Sequence, residues 1–526
     1  MKQSNKDHTY IILNRVANTG CSKYLKYGIF NLLSESSLNF EIKDYQFPEK
    51  KHILKYLLLI TIKFNLIYLL SLIYKFLKIL FTFFVFDNTS SGICSHLLKL
   101  KIFSITAGDC IMSDYFRSPI TGYNPKCSFL NINFFLQRIF FYHLIYFQFQ
   151  NFYKKENNLI LFSYETTGVD EYLRRLCLSC DCIEIRFSPF EGGYRFFQNY
   201  NGVSLRKFSK LRSYHYSKFS NNELLLGQKK INSLVNRHDS YSYMKDIDVD
   251  TKLEIGINPL PTKSTVVIFL STLSDAQYLY GVGPFSSLPE FHERLIEISL
   301  SKGYNVVVKP HPSMLKDKDY CAKDKKYYSD LLSKYKSKRL SPNISKSKCI
   351  NKLYFLNEFI SVKQMSKTFP AFMCATNHGS VAAECSYLNH FCLVSSNSQY
   401  IKDDLFVFIL RNIKDIDTAF TNWQKHDHFT EEETNSIYKY IYLNNVYCRN
   451  QTGDVIFDGL FPENHDSSFT DNWILEFEKN TGGKNQLMEH VTKYIKSLDN
   501  DISTISDYHV TNSIHLDQWI SDCTSN

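Results

Sequence analysis

The chain has no run of about 18 uncharged apolar residues, so no segment has the pattern of a membrane-spanning helix. Its densest apolar stretch, His52 to Phe86, is broken by Lys55, Lys63, Lys75 and Lys78. A signal peptide is also missing. Met1 to His8 is polar and charged, and the apolar run after it is too short. The natural expectation is a reduced, cytoplasmic protein, in which the sequons at Asn88, Asn343 and Asn450 carry no glycan. Fourteen cysteines are present. The tight group Cys177, Cys180 and Cys182 has no second Cys or His pair at zinc spacing. Cys374, Cys385 and Cys392 occupy interior-type positions. No basic-aromatic nucleic-acid motif occurs, which argues against a nucleic-acid partner. No Asp-x-Asp stands in a strand-end loop; Asp248-Val-Asp250 lies in a polar linker. No metal and no cofactor is therefore expected.

What remains is a large, apolar-rich α/β chain. Its 526 residues predict two or more domains, and 44% hydrophobic content suffices for packed cores. The 36 Tyr and 42 Phe are unusually many. A net charge of +9 suits an anionic ligand or an anionic surface without specifying either.

The most informative run is Val306 to Met314, Val-Val-Val-Lys-Pro-His-Pro-Ser-Met. Three β-branched residues mark a strand buried on both faces, and Pro310 and Pro312 must end it. His311 then stands at the carboxyl end of a buried strand, where open α/β sheets bind ligands. Thr265 to Leu270 is a similar strand, followed by a Gly/Pro/Ser loop and a helix, Pro289 to Ser301, stopped at Lys302-Gly303. Ala371 to Ala375 is a third strand. The polar turn Thr376-Asn377-His378-Gly379-Ser380 leads into a helix, Val381 to Leu388, with Asn389 as its stop and Phe391 to Val394 as the next strand. Such a turn opens a helix N-terminus to an anion, and Glu384 lies one turn further in, within reach of a sugar hydroxyl. The alternative is that Ser380 only caps the helix.

The strand ending in His311-Pro312, and the Thr376 to Ser380 turn with Glu384, resemble the C-terminal nucleotide-binding domain of GT-B glycosyltransferases. The closer likeness is to bacterial capsule-polysaccharide transferases, including Kdo transferases and polysialyltransferases, several of which use CMP-activated acidic sugars. Ser271 to Gly281, with Pro284-Phe285, looks like the first loop of capsule-synthesis proteins. The resemblance covers Thr265 to Val394. Gly379-Ser380 stands where the sialyltransferases carry paired serines. It implies two Rossmann-like domains facing a cleft, and an inverting, metal-independent transfer of sugar from a nucleotide-activated donor to a surface polysaccharide or glycolipid. It places Ser271, Thr272, Lys309, His311, Pro312, Thr376, Gly379, Ser380 and Glu384 at the donor nucleotide, with His311 also catalytic. A nucleotide-sugar epimerase, a polyol-phosphate transferase or a non-catalytic capsule assembly or export component would share this shape.

The N-terminal half has the same texture. Strands are expected at Tyr10 to Leu13, Leu80 to Phe86, Lys101 to Ile105, Leu159 to Ser163 and Cys182 to Phe187, most followed by polar loops. The division expected is 1–258 for acceptor binding, 264–485 for the nucleotide sugar, and 486–526 for a terminal helix and polar tail. Met314 to Ile350 reads as a lysine-rich insertion, an exposed helical excursion or a mobile loop. The base that takes the acceptor proton is expected from the N-terminal half, among Asp109, Glu165, Asp170 and Glu191. Glu191-Gly192-Gly193 resembles the acid-acid-Gly motif of polysialyltransferases, with Phe190 in place of the first acid. The lysine-spaced apolar stretch and the aromatic-basic stretch Phe129 to Tyr153 are expected to touch the inner face of an anionic membrane; the competing reading is two core helices.

Overall fold

The computed structural model describes residues 9–14, 39–44, 66–85, 90–118, 121, 123, 125, 128–153, 159–163, 168–179, 183–188, 193–198, 219–236, 262–273, 282–311, 314, 322–339, 353–356, 360–377, 379–395, 400 and 404–442. The linker near 251–261, the segment 472–498 and the polar tail lie outside them.

The N-terminal half contains β1 (Thr9–Asn14), β2 (Asn39–Asp44), α1 (Leu66–Val85), α2 (Ser90–Leu98), β3 (Lys101–Ile102), β4 (Ile105–Thr106), α3 (Gly108–Arg117), α4 (Phe129–Tyr153), β5 (Leu159–Ser163), α5 (Gly168–Leu178), β6 (Ile183–Ser188) and β7 (Gly193–Gln198). Its sheet has the order β2-β1-β5-β6-β7, parallel except for the last pair. This is a flavodoxin-like order with an antiparallel edge. Three expected strands, at 10–13, 159–163 and 182–187, are its members. Two others are not. Leu80 to Val85 is the end of helix α1, because Ile79 and Phe83 point inward at helical spacing while Leu77 and Phe81 point out. A continuous apolar run does not separate these two alternatives. Lys101 to Thr106 is a separate two-stranded hairpin, turned at Phe103 with φ of 53°.

The C-terminal half follows α6 (Asn221–Val235) and holds β8 (Thr265–Phe269), α7 (Leu288–Ser301), β9 (Asn305–Lys309), α8 (Ala322–Arg339), β10 (Leu353–Phe355), α9 (Val362–Thr368), β11 (Met373–Thr376), α10 (Val381–Tyr387), β12 (Cys392–Ser395), β13 (Val407–Leu410), α11 (Asp415–Lys425) and α12 (Glu431–Ile441). All six strands are parallel, in the order β10-β9-β8-β11-β12-β13. In chain order that is 3-2-1-4-5-6, the order of dinucleotide-binding Rossmann sheets. The expected α/β class with two Rossmann-type sheets therefore holds. The helix stops also hold: Gly303 has φ of 88° and Asn389 φ of 65°.

Strand alternation sorts the core into two layers. Val266, Ile268, Val306, Val308, Met373 and Leu393 face one side, under α7, α8 and α11. That side is continuous with the apolar core of α1 to α5. Val267, Phe269, Val307, Cys374 and Val394 face the other, under α6, α9, α10 and α12. Helix α6, upstream of the expected boundary, thus packs on the C-terminal sheet. It meets α12 at Gly227, where an added Cβ would lie 2.2 Å from the Tyr438 carbonyl oxygen.

Two expectations are corrected here. The lysine-rich segment is helical over Ala322–Arg339, as one expectation has it, but it is not an exposed excursion. It carries α8, the crossover helix between β9 and β10, with Tyr327, Tyr328, Leu331 and Tyr335 buried as one stripe among solvated lysines. The aromatic-basic stretch is core. Phe135, Ile139, Tyr142 and Phe149 of α4 are fully enclosed. Its basic residues have internal partners: Arg138 pairs with Asp114 at 3.4 Å, and His143 Nδ1 donates to the Ile139 carbonyl at 2.8 Å. Among the described residues, no helix is long and apolar enough to cross a membrane.

Candidate functional site

In a 3-2-1-4-5-6 sheet the strand order reverses between β8 and β11, and the crevice at their carboxyl ends is where such sheets bind ligands. The register places Thr376 beside Phe269 and Phe269 beside Lys309. One sheet edge therefore brings together Ser271, Thr272, Lys309, His311, Thr376, Gly379 and Ser380, with Glu384 on the first turn of α10. Pro312 and His378 fall outside the described residues.

The turn after β11 is built around Gly379. Its φ of 112° suits glycine alone, and nothing lies within 4 Å of where a Cβ would be. Tyr400 fixes the turn by donating its hydroxyl to the Gly379 carbonyl at 2.5 Å. Ser380 makes no capping hydrogen bond. Its hydroxyl donates instead to Glu384 Oε1 at 3.1 Å, so the capping alternative is corrected. Thr376 and Asn377 are buried, whereas Gly379 and Ser380 reach the surface. Helix α10 has only seven residues. The polar turn itself, more than a long helix dipole, makes this a place for an anion.

The helix after β8 is closed by contrast. Ser287 accepts from the Glu290 N–H at 3.2 Å, and Glu290 accepts from the Ser286 N–H at 2.9 Å. These caps occupy the N-terminus of α7. The loop before it is held from beneath by two buried residues that the sequence reading missed. Asp324 accepts the Leu273 N–H at 2.6 Å, and His292 Nε2 accepts the Ser271 N–H at 3.5 Å. Burial pushes His292 down to about 3, so the ring is neutral. With Nε2 accepting, its Nδ1 carries the proton, which faces the Tyr327 hydroxyl at 3.0 Å. On the next strand, Lys309 is buried with its ammonium 5.7 Å from the Phe269 ring. His311 is half-buried, and its carbonyl accepts the Met314 N–H at 2.8 Å.

Of the four carboxylates expected to supply the base from the N-terminal half, Asp109 and Asp170 are among the described residues. Both oxygens of Asp109 are taken by Arg175, at 2.8 and 2.7 Å, and Arg175 also holds Glu171. That is the geometry of a structural clamp. Glu191 and Glu165 lie outside the described residues, Glu191 in the connection between β6 and β7. Asp170 stands in the first turn of α5. A carboxylate not expected from the sequence is Asp114. Burial raises it to about 6, against the pull of Arg138 and of the Tyr142 hydroxyl at 3.1 Å. It lies mid-helix in α3, with no local motif to announce it.

No protein-family model and no curated protein matches the chain. Among solved structures, the chain is similar to Thermosulfurimonas dismutans KpsC, a beta Kdo 2,4 transferase, with 8% identity over 53% of this chain and 78% of that one, at a TM-score of 0.32. It is also similar to the Methanocaldococcus jannaschii UDP-GlcNAc 2-epimerase in complex with UDP-GlcNAc and UDP, with 9% identity over 81% of this chain and 97% of that one, at a TM-score of 0.23. At those scores the likeness carries no argument, and the fold assignment rests on strand order.

The interior cysteines prove to be neighbours. The sulfurs of Cys374, Cys385 and Cys392, from β11, α10 and β12, lie within 4.8 Å of one another and are fully buried. Three sulfurs at this spacing are a donor set for a soft ion only as thiolates. Burial pushes the Cys374 and Cys385 thiols up, so they pack as neutral groups. Cys180 and Cys182 lie outside the described residues.

Proposed function

We propose that the chain is a glycosyltransferase that moves a sugar from a nucleotide-activated donor to a saccharide or glycolipid acceptor, with inversion. The observation that carries this reading is the open Gly379–Ser380 turn at the switch point, with Glu384 behind it. A phosphate at the turn accepts from Ser380. That exchange frees Glu384 Oε1 to accept a ribose hydroxyl. Lys309 and His311, on the neighbouring strand end, then face the leaving phosphate, whose developing charge they stabilise as the acceptor oxygen bonds the anomeric carbon. The acceptor proton goes to a carboxylate of the N-terminal half: Glu191, or Asp109 if Arg175 releases it. A CMP-linked acidic sugar is the donor that the sequence resemblance favours.

A thermal-shift screen with CMP, UDP, GDP and CDP tests this, since a ligand of the native state raises Tm. With the strongest binder, Ser380→Ala and Glu384→Ala should each weaken affinity by roughly tenfold, the scale of a hydrogen bond to a charged group. Unchanged calorimetric affinity in both variants places the donor elsewhere. Product formed without an acceptor marks an epimerase instead.

The reading includes a membrane-linked acceptor, reached by α1. Leu70, Ile73, Tyr74, Leu77 and Phe81 form one stripe on α1, 44–61% exposed, beside Lys75 and Lys78. An apolar stripe flanked by lysines suits the headgroup region of an anionic bilayer. We expect cosedimentation with anionic liposomes that salt weakens and that the triple variant Lys63→Glu, Lys75→Glu, Lys78→Glu abolishes. Protein that stays in the supernatant at low salt removes the membrane from the reading.

A further inference from the structure

We infer that Lys323 and Asp324, successive residues at the start of α8, are positioning residues: Asp324 sets the Ser271–Leu273 backbone for the nucleotide, and Lys323 ties that backbone to the N-terminal half. The inference rests on the donor site proposed above and names what holds it in shape. Helix α8 follows the His311 segment, so it begins at the carboxyl edge of the sheet.

One side of the helix serves the donor loop. Asp324 is fully buried and accepts the Leu273 N–H at 2.6 Å. Tyr327, one turn later, meets the Nδ1 of His292, whose Nε2 accepts the Ser271 N–H. Two backbone amides of the Ser271–Leu273 segment are thus held by buried acceptors. A loop held this way loses little freedom on binding a ligand.

The same turns of the helix also serve the N-terminal half. The Lys323 ammonium donates to the Tyr115 carbonyl and to Thr121 Oγ1, both at 2.8 Å. It sits at the carboxyl end of α3, where the helix dipole favours a cation. Two further ties continue along the helix. Tyr327 packs on the Tyr123 ring with centroids 5.2 Å apart, and Asp330 accepts the Tyr123 hydroxyl at 2.8 Å. Residues 323, 327 and 330 have the i, i+4, i+7 spacing of one helix face. Burial pushes Lys323 down to about 7; the neutral amine keeps two N–H groups, enough for both oxygens, and the ammonium donates more strongly. Tyr115 directly follows Asp114, the raised carboxylate of the N-terminal half. The strut therefore joins the donor loop to the part of the N-terminal half where a buried acid stands.

The test uses Asp324→Leu, which removes the acceptor while keeping the branched heavy-atom skeleton, and Asp324→Asn, which keeps an acceptor oxygen. Calorimetry with the CMP, UDP, GDP and CDP panel on the full chain should show roughly tenfold weaker binding for Asp324→Leu and near-wild-type binding for Asp324→Asn. Wild-type affinity in a folded Asp324→Leu overturns the inference. A wild-type chain that binds none of the panel overturns the proposed function instead. Should Asp324→Leu not fold, hydrogen exchange of the wild-type chain decides: slow exchange of the Leu273 amide is expected, and fast exchange sinks the idea. Lys323→Met should leave nucleotide affinity within about threefold while lowering turnover at least tenfold, with Lys323→Arg restoring most of it. Equal loss of affinity in Lys323→Met would deny it a separate tie.

Discussion

His311→Ala should fold like the wild type and turn over at least a hundredfold more slowly, the scale of losing one preorganised donor at a developing charge. The fold should survive because the His311 backbone is held independently of the ring. Its carbonyl accepts the Met314 N–H, and the strand before it is paired on both sides. The rate should fall because His311 follows Lys309 at the same sheet edge as Ser380, where the leaving phosphate of the proposed donor would gather charge. Steady-state kinetics beside a thermal melt settle the matter. A folded variant with near-wild-type kinetics removes His311 from the mechanism.

Acid should unfold the protein well above the pH at which its surface carboxylates protonate. Three histidines are buried and neutral: His143, pushed down to about 4, and His292 and His390, each to about 3. Burial is the main cause in all three. Protonation would also wreck local geometry. The His292 Nε2 would become a donor facing the Ser271 N–H. His143 Nε2 and His390 Nδ1 have no partner, so a proton there would be a buried donor without an acceptor. The unfolded chain takes up these protons below about pH 6.5 and the native state does not, so stability is present above that pH and lost as pH falls. Each histidine then costs about 1 kcal/mol between pH 6.5 and 5.5, so the three together cost about 3 kcal/mol there, and the slope steepens toward about 1.4 kcal/mol per pH unit for each below that. Asp114 opposes this. Its folded value of about 6 lies above the unfolded one, so the native state gains as pH falls through the window below 6. Among the described residues burial also pushes His96 and His426 down, on the same side as the three, so the balance is a net loss. Against a total stability of about 5–15 kcal/mol, the loss is decisive. Denaturant melts at stepped pH check the slope. His390→Phe, which keeps the stack on Phe372, should reduce it by about a third. A midpoint that does not move between pH 7 and 5 would show that the rings titrate normally.

The C-terminal sheet was legible because its signals are local. β-Branched runs at Val266–Ile268 and Val306–Val308, with stops at Gly303 and Asn389, need only a few residues to be read. The same holds for the Gly379–Ser380 turn. Segments whose environment is set at a distance were misread. Leu80 to Val85 has no local mark that separates helix from strand. Helix α8 hides its buried tyrosines among lysines. The aromatic residues of α4 looked like a bilayer surface because their partners on α1, α3 and α5 come from elsewhere in the chain. Asp324 and Lys323 could not be found at all by pattern. Their acceptors and donors lie 51 and 208 residues away.

The seating of α6 against α12 also orders events in time. Gln228 and Tyr438, which face each other across that contact, are 210 residues apart. At about 5–20 residues per second, α6 leaves the ribosome on the order of ten to forty seconds before its partner exists. Until then Ile231 and Val235, which end up buried, have no completed layer to join. Closing so long a loop costs little extra free energy, because the cost grows only with the logarithm of length. The penalty is a delay: one face of the C-terminal sheet stays open through most of synthesis, until α12, the last helix among the described residues, closes it.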